Sequence, residues 1–475
     1  MRASATTNEG AACYDHSMNH SLEFFSKAGS LFIKKGAFYG NEATALGLFK
    51  NSWFADNEIS MRLLFWLRDC RGGAGNRSGF RSCLTWLADA DPRWILKNIY
   101  LVPECGRWDD LRSLFGTTLE LDASIFWAAA IKSGNTLAAK WADRKDYPIR
   151  KVFGMKIGEF RRYLADCRKN SIVENNMCKK EWREITYSHV PSVAMARYTN
   201  AFGRNDEKRF EAYKEGLTCK TEKVNASVLF PHDCVRTARS GDAVIADAQF
   251  DVLPNYMEGV DERVIALCDT SESMQCIVSG SVQAIDISKG LALYCSEKIG
   301  EDNPFYRKFI AFESESKFVD WEGMKFSDTL HDHRIFNGAC GMTRIDKALD
   351  LILDSAKMWN VENNKMPTSL LIASDMQFTQ GVTAGHRYGW SDENGVNTVI
   401  EKALMRWDEA GYKRPKIIYW NLAGYSGSPA TNQHQDVALV SGFSPSILKA
   451  VFDGTDLTPE GVMMRAIEKY DIVRP

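Results

Sequence analysis

Three short stretches of this chain carry oxygen ligands at spacings that could hold a metal ion. Asp269-Thr270-Ser271-Glu272-Ser273 places a carboxylate and two hydroxyls at alternate positions. Gly338-Ala339-Cys340-Gly341-Met342-Thr343 adds another hydroxyl, and Ser374-Asp375 a second carboxylate. Hard oxygen donors without His or Cys favour Mg²⁺, with Mn²⁺ also possible. Mg²⁺ keeps several of its waters, so few charged ligands suffice. Two carboxylates would leave the ion able to take an acidic group from a partner. Two competing readings stand beside this one. Asp269 and its neighbours could simply cap a helix and a turn. The site could also form and stay empty in the cell, because Mg²⁺ binds such sites weakly.

A second kind of chemistry is suggested by basic residues. Arg68, Arg71, Arg77 and Arg81 surround the glycines at 72, 73 and 75. Glycines let backbone N–H groups approach a phosphate, and arginine forks match phosphate oxygens. The alternative is a turn between two helices with solvated arginines, some paired with Asp69. The order GxxxxGK[ST] is missing, so nucleotide binding by such a loop is not supported. Lys140, Arg144 and Lys145, with Trp141 among them, form a second basic cluster, extended by Arg150-Lys151, Arg161-Arg162 and Arg168-Lys169. Aromatics among charges can stack bases; a solvated helix face with Trp141 in the core is the plainer reading. Trp108-Asp109-Asp110 reads as a helix start with acids at its positive end. His331-Asp332-His333 lacks a third ligand nearby and reads as a surface loop. No GxSxG, HExxH or Cys–His signature supports hydrolase chemistry.

The elements that must position these residues change rhythm along the chain. Between about 20 and 216, apolar residues recur at three and four. Examples are Ile59–Leu67, Phe80–Leu87, Trp94–Leu101, Ile125–Ile131 and Phe160–Leu164, with breaks at Asp91-Pro92, Pro103–Gly106 and Pro191. Paired helices stacked as an irregular solenoid follow from this pattern. Residues 218 to 260 lack periodicity and read as a connector, with room for short strands. From 262, strands are expected at Arg263–Cys268, Phe309–Phe312, Ser369–Ala373, Lys416–Leu422 and Val437–Val440. Helices are expected at Asp286–Ile299, Ile345–Trp359, Thr398–Ala410, Ser446–Phe452 and Pro459–Tyr470. Alternation of this kind predicts a mostly parallel, doubly wound sheet, with ligands beyond the carboxyl ends of its strands. The metal candidates fall at those ends.

The chain has 475 residues and a net charge of -2. Residues 1–250 hold 37 Lys and Arg against 29 Asp and Glu; residues 251–475 hold 22 against 32. Two modules with different partners are implied. Twelve cysteines with no CxxC pair fit a reducing cytosol and argue against disulfides and zinc. No apolar run spans a membrane, and the polar stretch Met1–Gly10 is unlike a signal peptide. A cytoplasmic location is expected.

The DxSxS stretch, a separate Thr and a separate Asp at successive strand ends resemble the metal-ion-dependent adhesion site of von Willebrand factor A domains. That resemblance implies direct ligation by Ser271, Ser273 and Thr343, with Asp269 and Asp375 acting directly or through water. Arg68-Asp69-Cys70-Arg71-Gly72-Gly73-Ala74-Gly75-Asn76-Arg77, Cys105-Gly106-Arg107-Trp108-Asp109-Asp110-Leu111, Val190-Pro191-Ser192 and Ser374-Asp375-Met376-Gln377-Phe378 resemble an uncharacterised family of plants and large viruses. The resemblance covers roughly residues 20–455. That family is similar in turn to the Ro ribonucleoproteins, whose TROVE module is a ring of HEAT-like helical repeats closed by a von Willebrand factor A domain. Ro proteins bind the ends of misfolded RNA and small structured RNAs, so RNA binding is implied. There is no residue-by-residue match for their RNA surface.

The expected organisation is an α-helical repeat, TROVE-like module over 15–230 and a connector over 231–260. A von Willebrand factor A-like α/β domain over 261–458 and a C-terminal helix over 459–475 complete it. The expected function is a non-enzymatic RNA-binding protein contacting RNA through Arg68, Arg71, Arg77, Arg81, Lys140, Arg144 and Lys145. Its metal site would take an acidic ligand or protein partner. The alternatives are a metal-dependent protein–protein adaptor, or an oligomeric viral structural component without RNA. A metal-dependent nuclease is a more distant one.

Overall fold

The computed structural model describes residues 5–7, 11–15, 17–31, 45–168, 173–226, 228–240, 242–279, 282–336, 341–379, 398–424, 427–453 and 457–475. The C-terminal half is built on a six-stranded sheet. Its strands are β1 (Val264–Asp269), β2 (Lys308–Phe312), β3 (Ser316–Asp320), β4 (Ser369–Ser374), β5 (Lys416–Asn421) and β6 (Val437–Ser441). In space they run β6-β5-β4-β1-β2-β3. All neighbours are parallel except the β2–β3 pair.

Every residue of β1 and β4 is buried. Strands covered on both faces need apolar side chains at successive positions, as Val-Ile-Ala-Leu-Cys supplies in β1. Val264, Ala266 and Cys268 share one face and one core with the buried side of helix Ala284–Lys298. Ile265 and Leu267 pack on the other face with helices Ile345–Met358 and Val399–Glu409. The sheet is therefore sandwiched between helices, the doubly wound arrangement that the alternating pattern calls for.

Strand β3 has no counterpart in the sequence reading. It pairs only with β2, and four of its five residues retain solvent contact. A polar edge strand carries no apolar alternation to detect. The 218–260 stretch also differs from the connector with short strands that was expected. It holds helices Pro231–Arg239 and Ala243–Asp251. The first starts with Pro at its opening position, where the missing N–H costs nothing. Cys234, Val235 and Ala238 do recur at three and four on the first helix, but Pro231, Gly241 and Pro254 cut the stretch into short pieces that hide the pattern.

The N-terminal half is helical from His20 onward, and among its described residues the five helices read from periodicity are present. Trp94–Leu101 is split into Pro92–Asn98 and Leu101–Cys105. Phe24, Phe25, Phe49, Leu63, Trp66, Phe80, Leu84 and Trp127 form its centre, and this core is continuous with one face of the sheet. Tyr187, Phe202, Phe210, Tyr213 and Ile245 make a separate aromatic cluster further along. Helix His20–Ala28 is seated directly on β6: the Ser441 hydroxyl donates to the Phe25 carbonyl at 2.6 Å. Helix Pro459–Ile467 also packs on β6, and on helices His20–Ala28 and Asn57–Arg68. The two halves thus share a core. Among the described residues no helix is long and apolar enough to cross a membrane, and eleven cysteines are free thiols.

Candidate metal centre and arginine cluster

Strand β1 lies between β2 and β4. The chain leaves β1 for one side of the sheet and returns on the other, so a crevice opens where the order reverses. Asp269 ends β1 and Ser374 ends β4; the pairing of Cys268 with Ala373 sets the two ends level. Asp375 follows directly. A third loop brings Thr343 to the same place just ahead of helix Ile345–Met358.

The five residues singled out by type and spacing are brought together here. Asp269 Oδ1 accepts from the Ser271 amide at 2.9 Å and from the Ser271 hydroxyl at 2.6 Å. The Ser271 and Ser273 hydroxyls are 3.3 Å apart. Thr343 donates its hydroxyl to Ser271 Oγ at 3.0 Å, across 72 positions of sequence. Ser374 donates to Asp269 Oδ2. Asp269, Ser271, Thr343, Ser374 and Asp375 have no exposed surface. Ser273 is half-buried, with Glu272 and Met342 exposed beside it.

Burial, and then the charge of Asp375, push the Asp269 carboxyl up to about 7. No Lys, Arg or His forms an ion pair with Asp269 among the described residues. Two buried carboxylates this close call for a proton or a cation between them. With three hydroxyls around them, the donor set is wholly oxygen, and these residues fit a small hard divalent ion. Among the described residues no three His, Cys, Asp or Glu side chains gather as a metal group, here or elsewhere; this set has two carboxylates and three hydroxyls. His331 ends a helix and its Nδ1 lies 2.7 Å from the Ser327 carbonyl.

Thr379, which the sequence did not single out, fixes this rim together with Met376 and Gly341 of the quoted motifs. Thr379 accepts from the Thr343 amide on its hydroxyl at 3.1 Å, and donates its own amide to the Thr343 carbonyl at 2.9 Å. Met376 has φ 63, an uncommon left-handed conformation outside glycine, immediately after Asp375. Gly341 has φ +75, and a Cβ there would lie 2.3 Å from Ser314 Oγ, so the Thr343 loop can seat only glycine at that point. Of the same loop, Gly338, Ala339 and Cys340 lie outside the described residues. The one sequence signal for Thr379 is its place four residues after Asp375.

The arginine loop is put together differently from a phosphate cradle. The amides of Gly72, Gly73, Ala74 and Asn76 donate to Asp69 Oδ1, Asp69 O, Trp66 O and Leu67 O. Those N–H groups are already spent within the loop. Arg68 is 3% exposed, and its Nε donates to Asp110 Oδ2 at 2.7 Å. Arg81 donates from Nε to Asp110 Oδ1 at 2.7 Å and pairs with Asp109 at 2.9 Å. Arg107 holds Asp109 with two bonds of 2.9 Å and lies 4.0 Å over the Trp141 ring. Burial works against the Asp109 charge, yet Arg107 and Arg81 hold its carboxyl below the usual range.

Asp109 and Asp110 are thus the counter-ions of the arginines. Asp110 also accepts from the Arg107 amide at 2.9 Å, closing the turn into the 3-10 helix Trp108–Leu114. A Cβ on Gly106 would lie 2.4 Å from Asp110 Oδ2, which accounts for the glycine. Arg71, Arg77, Arg144 and Lys145 are exposed, and Lys140 lies 3.7 Å from Glu174. A groove of about 850 Å³ between Leu217–Val224, helix Ala243–Asp251 and Trp321–Phe326 holds none of these residues.

Two family models match the chain. One, described as a domain of unknown function (DUF7788), covers residues 263–471. The other, also a domain of unknown function (DUF2828), covers residues 6–112 and 156–270. Their matches meet over β1. Among curated proteins, the uncharacterized protein L728 of Acanthamoeba polyphaga mimivirus is 24% identical over 489 residues. That alignment takes in 90% of this chain and 82% of the viral protein. Among solved structures, the RO (RSR) protein of Deinococcus radiodurans is 14% identical, with a TM-score of 0.37. That alignment covers 95% of this chain and 99% of the other.

Proposed function

We propose that this chain is a non-enzymatic binding protein with two ligand-taking surfaces. The first holds Mg²⁺ or Mn²⁺ at the sheet's switch point and captures an acidic group through it. Ser271, Ser273 and Thr343 would supply hydroxyl ligands, with Asp269 and Asp375 directly or through water. The cation would offer an electrophilic position to a carboxylate or phosphate oxygen. The observation that carries this reading is the Thr343-to-Ser271 hydrogen bond beside two fully buried carboxylates. Three separate loops converge on one all-oxygen set.

The second surface is the basic side of the helical half, which would bind RNA by its phosphates. The sequence resemblance to Ro ribonucleoproteins and the exposed Arg71, Arg77, Arg144 and Lys145 support it. Phosphate contacts release counter-ions, so affinity should fall steeply with salt. Filter binding of structured and single-stranded RNA at low and moderate salt tests this. Retention no better than that of an acidic control protein would sink it.

A specific observation favours a second reading, the metal-dependent protein adaptor. Arg68 and Arg81 are committed to Asp110 and Asp109, which leaves less free positive charge than the sequence suggests. A pull-down that needs Mg²⁺, is lost in Asp269→Ala and survives ribonuclease would select the adaptor.

A further inference from the structure

Five guanidiniums crowd around three carboxylates in the helical half. Arg68, Arg81, Arg107 and Arg112 are each paired, with Asp109, Asp110 and Asp146 as partners. Arg77 is the fifth, and it makes no hydrogen bond or ion pair among the described residues. It stands one turn before Arg81 on helix Arg77–Ala90, so the two share a helix face, near the charges of Arg107, Arg68 and Asp110. Asp109 and Asp110 are shared among Arg68, Arg81 and Arg107, so Arg77 has no carboxylate of its own among the described residues.

The paired arginines are not used up by their partners. Each guanidinium carries five N–H donors in a rigid fork. Arg107 commits its Nε and one terminal nitrogen to Asp109, and Arg81 its Nε and one terminal nitrogen to Asp110 and Asp109. The side chains of both remain about a third exposed, at 28% and 32%. Asp109 and Trp141 hold Arg107 from two sides. Side chains already fixed in place lose little entropy when they receive a ligand. Like charges kept together by a buried scaffold of acids are a prepared receptor for an anion.

We infer that the outer edge of this cluster, Arg77 with Arg81 and Arg107, is a phosphate site. Its ligand is a phosphate group of a nucleic acid strand, either a terminal monoester or a backbone diester. The inference rests on the RNA reading above and gives it a definite place. The planar guanidinium fork matches a pair of phosphate oxygens with two parallel hydrogen bonds. Asp109 and Asp110 are positioning residues here: they face inward and aim the guanidiniums.

The test uses the full chain, fluorescence anisotropy and a single-stranded oligoribonucleotide carrying either a 5′-phosphate or a 5′-hydroxyl. Arg77→Gln is the variant of choice, because Arg77 has no partner to lose and the fold should keep its melting temperature. The expected result is a loss of about tenfold in affinity across sequences. The slope of log affinity against log salt should shrink by about 1, and inorganic phosphate should compete with the RNA. Preference for the phosphorylated end identifies a terminal site; equal binding identifies a backbone site. Wild-type RNA binding that Arg77→Gln leaves unchanged, in affinity and slope, overturns the site while the RNA reading stands. If RNA does not bind, but inorganic phosphate raises the melting temperature of wild type and not of Arg77→Gln, an anion site at Arg77 stands, while its assignment to nucleic acid falls with the RNA reading. Neither effect overturns both.

Discussion

Tyr470 donates its hydroxyl to Asp69 Oδ2 at 2.9 Å, across 401 positions of chain. Lys469 reaches the same oxygen at 2.6 Å, and Asp69 Oδ1 accepts from the amides of Arg71 and Gly72. One carboxylate thus ties the arginine–glycine loop to the last turns of the chain. Nearby, the Arg474 amide donates to the Asn98 side chain at 2.8 Å, and Arg62 pairs with Asp471. The loop serves as an anchor for the C-terminal turns.

Removing the hydroxyl tests how much the anchor contributes. Tyr470 is buried, and hydrogen bonds to charged groups are worth about 1.5–3 kcal/mol. Tyr470→Phe should lose an amount in that range in chemical denaturation. A change below about 0.5 kcal/mol would show that water replaces the bond at no cost.

Asp69 also gives the anchor a pH dependence. Burial alone would raise its carboxyl, but the Lys469 charge and the hydrogen bonds from Lys469, Arg71 and Tyr470 bring it below the usual range. A depressed folded pKa means that the unfolded chain binds the proton more readily. The contribution is therefore complete above the ordinary Asp value of about 3.9 and disappears as pH falls through the lower folded value. Thermal midpoints of wild type and Asp69→Asn should differ at pH 7 and draw together toward pH 3. Parallel curves over that range would contradict the assignment.

The contrast between the halves explains what could be read from sequence. Strands β1 and β4 are fully buried, so Val264–Asp269 and Ser369–Ser374 announce themselves as apolar runs, and the residues that end them stand out by type. The convergence of the hydroxyls and carboxylates proposed to hold a cation is legible for the same reason: parallel strands place their ends on one rim. The arginine cluster is not legible. Apart from local pairs such as Arg107–Asp109, its contacts join distant segments, with Arg81 and Asp110 29 positions apart and Arg68 and Asp110 42. Nothing in either local pattern says which arginine meets which acid. Thr379 is hidden similarly, because its partner Thr343 lies 36 positions away on another loop.

Cation binding should be visible as stabilisation. A ligand that binds the folded state alone adds about 2.7 kcal/mol at about 100 times its Kd. Wild type should melt higher in millimolar Mg²⁺ or Mn²⁺ than in chelator. Asp269→Ala and Thr343→Ala should lose most of that rise. An equal rise in both variants would place the ion elsewhere.

Thr379 should act through Thr343. Thr379→Val keeps the shape and removes the oxygen that accepts from the Thr343 amide. Partners that orient a ligand typically change metal affinity by about tenfold or more when lost. Titration of Mn²⁺ by calorimetry should show a weaker site in Thr379→Val, with Thr379→Ser restored toward wild type. A Ser variant as weak as the Val variant would assign the effect to packing.

Arg68 and Arg77 should separate folding from binding. The Arg68 side chain is 4% exposed and that of Asp110 0%, so Arg68→Met leaves Asp110 short of one partner in a buried setting. Breaking a buried pair from one side costs about 3–5 kcal/mol, here eased by the remaining bonds from Arg81 and the Arg107 amide. Arg68→Met should therefore lower the denaturation midpoint clearly, while Arg77→Gln should not. Below both midpoints the order should reverse for RNA: Arg77→Gln weakens binding and Arg68→Met leaves it near wild type. If Arg68→Met keeps full stability and loses RNA, Arg68 contacts the ligand, and the counter-ion role given to Asp110 is wrong.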